Sequence, residues 1–475
     1  MSSCCDDPGG FDLAVIGAGS SGFAAAIAAA EEGARVLLVG HGLIGGTCVN
    51  VGCVPSKFLI RAAEAAHAGT RAHRFRGIRG HLEFTDWPAL RAQKDALVAA
   101  LRKAKYEDLL GIYPSITYLE GRARLTPAGV DVAGRSFAVP RIVITTGSRP
   151  ATLPGVEIDE QHVLTSDGLL SRDRRPDHLL VIGAGAIGLE LGQTFLRLGA
   201  RVTVVEYLER ILPPADPDIS SELKRHLEAE GAEFRLAHRV QAVHARDGRV
   251  EVVATPRTGG REKRIVGDAV LVAVGRQPNT EGLGLEELGV RRDERGFIAT
   301  DAYMRTSREG IYAAGDVTGR HMYVYMAAHG GRIAALNALR GDVETYDETA
   351  VPHVVFTDPQ VAWVGLGEPE ARGQGIDARV SRLPLDQLPR ALAALDTRGL
   401  IKLVADAESL RLLGAHIVAP EGADAVQTAA LALRRGMTAG ELARTIVPYL
   451  TTVEGLKLAA QAFEKDPAKL SCCAG

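Results

Sequence analysis

Residues 11–30 read FDLAVIGAGSSGFAAAIAAA, and residues 179–198 read LLVIGAGAIGLELGQTFLRL. In each, a short apolar run of strand character meets Gly-x-Gly-x-x-Gly and continues as a helical stretch. The first turn is Gly17, Gly19 and Gly22; the second is Gly183, Gly185 and Gly188. The helical stretches run to residues 32 and 198, and a further strand follows each, over 35–39 and 201–206. The first Gly of such a turn makes the tight bend, the second lets backbone approach a pyrophosphate, and the third lets helix pack on strand. The phosphates then rest on a helix N-terminus, where free N–H groups and the dipole favour negative charge. One Gly motif is common in any α/β protein. Two copies in the same strand and helix context predict two dinucleotide sites.

Outward from these units, two more strand-like runs end in Gly turns: RIVITTGSRP (141–150, with Gly147) and AVLVAVGRQPN (269–279, with Gly275). GIYAAGDVTG (310–319) sets Asp316 just after a strand, where a carboxylate can accept hydrogen bonds from ribitol or ribose hydroxyls. From residue 351 the texture changes. VPHVVFTDPQVAWVGL and GLIKLVADAESLRLLGAHIVA alternate as antiparallel strands do, while 424–435 and 438–445 are helical. The predicted fold is α/β, with two Rossmann-like dinucleotide-binding domains and a C-terminal α+β domain.

The chain has 475 residues, enough for about three domains. Its 55 basic and 58 acidic side chains leave a formal charge of -3, so there is no global basic field for nucleic acid or an anionic membrane. The first ten residues, MSSCCDDPGG, lack the basic region of a signal peptide, and Gly residues break the apolar stretch that follows. No membrane span and a cytoplasmic protein are expected. Six cysteines are too few for a secreted disulfide scaffold, but they fall in three close pairs: Cys4 with Cys5, Cys48 with Cys53, and Cys472 with Cys473. For the internal and C-terminal pairs, placement of that kind predicts thiol or metal chemistry rather than core packing.

The internal pair lies in GGTCVNVGCVPSK, residues 45–57. On a regular helix Cα atoms five residues apart are separated by roughly 8.6 Å, beyond the ~7 Å a disulfide spans. The segment must therefore bend, with Gly52 and Pro55 suited to the bend. Pro55, Ser56 and Lys57 open the next helical run, so Cys53 is expected at a helix N-terminus near an ammonium, both of which favour a thiolate. With the two Gly turns and GIYAAGDVTG, this segment resembles the flavin-dependent pyridine nucleotide–disulfide oxidoreductases, over essentially all of residues 11–475. The resemblance implies an order: an FAD domain (1–150), an NAD(P)H domain (151–275), a central return completing the FAD domain (276–345), and an interface domain (346–475) of a homodimer. It also implies roles. Cys53 lies against the flavin, Cys48 is the outer, interchange thiol, and Lys57 lies near flavin N5 paired with Glu190. Gly17, Gly19, Gly22, Gly42, Thr47, Ala123, Gly147, Asp316 and Val324 belong to the FAD site. Gly183, Gly185, Gly188, Glu206 and Gly275 belong to the nicotinamide nucleotide site.

There is one departure. Gly40 ends the first unit where the family usually has an acid for the adenosine ribose of FAD, which is expected to weaken FAD retention.

The C-terminal stretch separates branches of the family. Reductases of small dithiols carry an acid–base His with a Glu five residues later. Here Val447-Pro448-Tyr449-Leu450-Thr451-Thr452-Val453-Glu454 keeps Glu454 but has Tyr449 at the His position. A phenol with a pKa near 10 does not shuttle protons near neutrality as an imidazole does. The chain then ends SCCAG, and two adjacent thiols chelate a soft metal ion. YLTTVEGLKLAA followed by that tail resembles the members that reduce Hg(II) to the element with NAD(P)H. By that resemblance Cys472 and Cys473 of one subunit receive Hg(II) from thiol complexes. They pass it to Cys48 and Cys53 of the other, with Tyr449 helping to hold the ion and active sites shared between subunits. Two other readings stay open: a dihydrolipoamide- or glutathione-type disulfide reductase, and a non-enzymatic redox or metal sensor. With only ten residues before the first strand, the chain is expected to lack the extra N-terminal metal-binding domain of many relatives, and two readings of Cys4 and Cys5 stay open, a minimal scavenger in its place or an N-terminus without function. Glu206 ends the second strand of the nicotinamide unit, where an acid accepts from the ribose 2′-hydroxyl. A 2′-phosphate there meets a like charge worth about 4 kcal/mol at 4 Å and an effective dielectric of 20. NADH is therefore expected to be used well, with Arg210 reducing the penalty on NADPH. Many relatives carry a gating Tyr where Ala186 stands.

Overall fold

The structure, a computed structural model, describes residues 10–466. Cys4, Cys5, Cys472 and Cys473 lie outside the described residues. The chain divides into two compact units, Met1–Ser56 with Ala89–Ala151 and Gly275–Asp347, and Lys57–Pro88 with Thr152–Val274 and Glu348–Gly475.

The first unit is built on a five-stranded sheet in the order Ile311–Ala313, Ile142–Ile144, Leu13–Ile16, Val36–Gly40, Ile116–Glu120. Every pairing is parallel, with Ile16 opposite Val39 on one side and Ile144 on the other. Helices cover parallel sheets on both faces, so their strands are uniformly apolar rather than alternating. LAVI and VLLVG are accordingly buried throughout. The crossover is the helix Ser20–Glu31, whose run of alanines lets the helix Val324–Arg340 lie close against it. At Gly331 an added Cβ would stand 2.2 Å from the Ser21 carbonyl oxygen, so only glycine permits the approach.

In the second unit the same design recurs as Glu233–Arg235, Arg201–Val205, His178–Ile182, Ala269–Val272 and Val163–Leu164, again parallel. A three-stranded antiparallel sheet, His238–Arg246, Arg249–Pro256 and Lys263–Gly267, packs Val250, Val252 and Ala254 into the same core as Leu180, Ile182 and Val270. The expected change of texture after residue 351 is an antiparallel five-stranded sheet, ordered His353–Val355, Gln360–Gly365, Leu412–Ala419, Leu400–Asp406, Ala378–Pro384. The helices Gly422–Arg434, Ala439–Arg444 and Glu454–Gln461 bury Val426, Leu442 and Leu456 against Ile401, Leu403 and Ile417.

Charged groups fasten the C-terminal end of the helix Cys53–Arg71 within this unit. Arg71 lies 2.9 Å from Asp396, and Arg74 3.3 Å from the same carboxylate. Arg398 joins Asp396 to Asp358, and Arg197 joins Asp358 to Glu230. A second cluster centres on Lys402, only 1% exposed, with Asp216 at 2.9 Å and Glu368 at 2.7 Å. Buried ions of this kind persist only when paired on several sides.

Candidate active site

The dithiol segment bends as its spacing requires. Cys48 lies in the short helix Gly46–Asn50, the chain turns at Val51 and Gly52, and Cys53 begins the helix Cys53–Arg71. The Ser56 amide donates to the Gly52 carbonyl, and no acidic residue stands in the first turn, so Cys53 meets an N-terminus with its field uncancelled. Asn50 holds the bend from inside: its amide donates to the carbonyls of Ile44 and Gly46, both at 2.9 Å, while its oxygen accepts from Arg102.

Sequence reasoning missed Tyr106. Its hydroxyl lies 3.1 Å from the Ser20 hydroxyl, and its ring stands edge-on to Phe23 with centroids 5.0 Å apart. Gly45 accommodates the ring, since a Cβ there would come within 3.0 Å of it. Burial first, and then the negative charge that Cys48 and Cys53 bring, hold the phenol above its ordinary range, against the Ser20 hydrogen bond. Tyr106 thus sits within electrostatic reach of both sulfurs. It lies in a π-helical turn, Lys103–Glu107, with no motif around it, so nothing in the sequence could mark it.

One turn beyond Cys53 along the helix, Lys57 donates to Glu190 at 2.7 Å. The other oxygen of Glu190 accepts from the Phe356 amide at 2.8 Å, and the Lys57 ammonium lies 4.8 Å from the centroid of the Phe356 ring. The predicted pair is formed, and Glu190 is buried while Lys57 keeps an exposed edge. This arrangement fixes a cation one turn from Cys53.

Both Gly turns are shaped for phosphate. The helices Ser20–Glu31 and Ala186–Arg197 begin at Gly19 and Gly185 with no side-chain cap and no acid in the first turn. A Cβ on Gly183 would stand 2.4 Å from the Ala273 oxygen and one on Gly188 2.1 Å from the Gly183 oxygen, whereas one on Gly185 meets nothing within 4 Å. The outer glycines serve the chain's own packing; the middle one faces open space. In the first unit Gly17 and Gly22 are likewise closed by Thr145 and by Gly17 itself, and Gly19 meets only Gly46. Donor groups and free space therefore fit a dinucleotide pyrophosphate at each turn. Gly42, Gly147 and Gly275 all have positive φ and open space at their Cβ positions. Thr47 is in the helix of Cys48, Ala123 begins the strand Ala123–Thr126, and Val324 begins the helix Val324–Arg340. The Asp316 carboxylate accepts from the Ser148 hydroxyl at 2.6 Å.

Two expectations take a different form. Gly40 does not leave a gap where an acid is missing: a Cβ there would stand 2.7 Å from the Tyr118 hydroxyl and 2.8 Å from Ala18. Tyr118 fills that place. Glu206 is 8% exposed and turned inward, accepting from the Ala184 amide at 2.6 Å and the Leu208 amide at 2.8 Å. Arg210, expected to soften its charge, instead donates to the carbonyls of Pro213 and Ala215.

In the second unit, Tyr449 is 49% exposed in a loop held by its own chain. Glu454 accepts from the Leu450 amide, Thr451 donates to the Pro448 carbonyl, and Thr452 donates to Glu421. Burial raises the Glu454 carboxyl above the usual range. Cys48 and Cys53 belong to the first unit. Among the described residues no group of three or more His, Cys, Asp or Glu is placed to hold a metal ion.

Residues 11–331 match the family model described as pyridine nucleotide-disulphide oxidoreductase, and residues 351–460 match that family's dimerisation domain. The chain belongs to the pyridine nucleotide-disulphide oxidoreductase family. Mercuric reductases are full-length relatives within it. The chain is 43% identical to that of Streptomyces lividans, covering 98% of this chain and 99% of the relative, and 46% identical to that of Shigella flexneri, covering 98% and 83%. LpdA from Mycobacterium tuberculosis superposes with a TM-score of 0.85 at 29% identity, covering 95% of this chain and all of that one. The flavoprotein disulfide reductase RclA from Escherichia coli gives 0.84 at 29%, covering 95% and 99%. Membership brings FAD and a nicotinamide nucleotide, a dimerisation domain, and the parallel sheets described above. No helix among the described residues is long and apolar enough to cross a membrane.

Proposed function

We propose that this chain is a mercury(II) reductase, an FAD oxidoreductase that takes two electrons from NAD(P)H and delivers them to thiol-bound Hg(II), releasing elemental mercury. The observation that carries this reading is a dithiol, Cys48 and Cys53, in a chain whose acid–base His position holds Tyr449. FAD, when bound, relays the two electrons between the nicotinamide and the metal. The residues have separate tasks. Cys53, at the head of its helix, and Cys48 hold the ion as thiolates, so no proton must reach a departing sulfur and an imidazole is dispensable. Lys57, fixed by Glu190, supports negative charge one turn away. Tyr106 and Tyr449 offer phenolic oxygens beside the ion. Gly17, Gly19, Gly22, Gly42, Thr47, Ala123, Gly147, Asp316 and Val324 bind FAD, and Gly183, Gly185, Gly188, Glu206 and Gly275 the nicotinamide nucleotide.

Segments 1–150 and 276–345 form the FAD domain in this reading, 151–275 the nicotinamide domain and 346–475 the interface. Cys472 and Cys473 of one subunit deliver Hg(II) to the dithiol of its partner, and the enzyme works in the cytoplasm. The test is NAD(P)H oxidation in excess thiol with and without Hg(II). Oxidation that requires Hg(II) and is lost in Cys48→Ser and Cys53→Ser is expected; turnover only with oxidised lipoamide or glutathione overturns the reading, and turnover with none of them favours a sensor. Cys472→Ala with Cys473→Ala is expected to slow turnover of Hg(II)–dithiol complexes and to spare reduction of the flavin. Equal steady-state rates with every thiol ligand would make the tail a bystander.

A further inference from the structure

The helix Trp87–Arg102 continues through the π-helical turn Lys103–Glu107 into Asp108–Ile112, with right-handed helical backbone at Arg102 and Asp108 on either side. A turn wound with hydrogen bonds five residues apart is rare and recurs at functional sites. Two ion pairs match its spacing, Arg102 with Glu107 at 3.2 Å and Lys103 with Asp108. Residues five apart on an α-helix point about 140° away from each other, and helical pairs ordinarily join residues three or four apart. Within the turn only Tyr106 is drawn inward; Lys103, Ala104, Lys105 and Glu107 are exposed.

Arg102 does more than close the turn. Its Nε donates to Glu107 at 3.2 Å while its Nη1 donates to the Asn50 side-chain oxygen at 3.1 Å. Asn50 in turn donates to the carbonyls of Ile44 and Gly46, where the helix carrying Cys48 begins. One guanidinium therefore ties the dithiol bend to the residue next to Tyr106, whose hydroxyl and ring meet Ser20 and Phe23. The pair of Lys103 and Asp108 lies in solvent, where such contacts contribute little. Arg102 is only 24% exposed and holds two oxygens at once.

We propose that Arg102 is a positioning residue for Hg(II) reduction: it locks the π-turn to the dithiol bend and so keeps the Tyr106 phenol within electrostatic reach of Cys48 and Cys53. The inference rests on the mercury(II) reductase reading for the reaction it serves. A planar guanidinium fixes the direction of both oxygens it holds. A shorter, neutral amide in its place frees the Asn50 oxygen and leaves Glu107 unpaired. Winding the same residues as an α-helix would carry Tyr106 around the axis, away from the dithiol.

The test places 3-fluorotyrosine at position 106 of the FAD-loaded protein. Its fluorine resonance is expected to shift when Cys48 and Cys53 pass from disulfide to dithiol, and to shift less than half as far in Arg102→Gln. Steady-state Hg(II) turnover supplies a double-mutant cycle. Tyr106→Phe and Arg102→Gln are each expected to lower it several-fold, and the double variant to stay within twofold of Tyr106→Phe alone, because Arg102 acts through Tyr106. A full fluorine shift in Arg102→Gln, or losses that multiply in the double variant, overturns the inference. Should Arg102→Gln not fold, Glu107→Gln, which releases the turn but leaves Arg102 on Asn50, carries the same two measurements with the same outcomes. Wild-type NAD(P)H oxidation indifferent to Hg(II) overturns the mercury reading instead, and the fluorine shift then still decides whether Arg102 places Tyr106.

Discussion

Tyr106 and Glu190 show how much of the chemistry depends on single side chains with fixed neighbours. The Tyr106→Phe change keeps the ring against Phe23 and Gly45 and removes the hydroxyl that meets Ser20 and feels the charge of the two sulfurs. Losing one such hydrogen bond costs about 1 kcal/mol of stability. The larger effect is expected on chemistry: Hg(II) turnover several-fold lower, flavin reduction by NADPH unchanged, both read by stopped-flow absorbance. Equal Hg(II) turnover in the variant would remove Tyr106 from the site. Because the phenol titrates above its usual value of about 10, it stays protonated across the neutral range. The Glu190→Gln change keeps an oxygen for the Phe356 amide and removes the charge opposite Lys57. Flavin reduction is expected to slow about tenfold, equivalent to roughly 1.4 kcal/mol, while Tm changes little. An unaltered rate would mean that the pair only fastens the helix Cys53–Arg71.

At the scale of an element, the two strand–turn–helix units predict opposite outcomes for neighbouring glycines. Gly185 has φ near -80° and open space at its Cβ position, so Gly185→Ala should fold with an unchanged Tm and lose NAD(P)H affinity by tenfold or more, measured by fluorescence quenching. Gly188→Ala drives a methyl to 2.1 Å from the Gly183 oxygen and should lower Tm outright. If Gly185→Ala bound the nucleotide normally, the pyrophosphate would have to lie elsewhere. The end of the strand Val36–Gly40 carries a related expectation. Restoring the family's acid as Gly40→Glu should weaken FAD retention and lower Tm, because Tyr118 and Ala18 occupy the space any side chain needs. Tighter FAD binding after dialysis would show that Tyr118 yields.

Across the molecule, stability is tied to acid through groups buried in the second unit. His416 is 1% exposed; its Nε2 donates to the Leu366 carbonyl at 3.0 Å, and its Nδ1 has no hydrogen-bond partner among the described residues. Burial holds this imidazole below its ordinary range, with Asp216 and Glu370 opposing and the Lys402 ammonium adding to the effect. Burial lowers His67, His178 and His226 in the same direction. The unfolded chain then binds more protons than the folded one just below pH 6.5, so stability falls as pH drops through that value, by at most about 1.4 kcal/mol per pH unit for each group. Asp358 is lost later. Burial alone would raise it, but Arg398 and Arg197 hold it below the usual carboxylate range, so its contribution declines below about pH 3.8. Calorimetric Tm values should drop between pH 7 and pH 5, and less steeply in His416→Gln; an equal slope in the variant would clear His416 of that role.

By itself the sequence determined the two Gly turns, the buried parallel strands beside them, the bend at the dithiol and the alternation that starts at residue 351. These are legible because each rests on local geometry or on a spacing set by the fold: a turn needs glycine at one place, and a strand buried on both faces needs an unbroken apolar run. Only the tertiary structure decided that Glu206 turns inward and that Tyr118 fills the space beside Gly40. It alone brought Tyr106 to Cys48 and Cys53, and Arg102 to Asn50. Each of these depends on which segments distant in the chain become neighbours. Burial and pairing act between neighbours in space, and no local pattern of residue types records which they are.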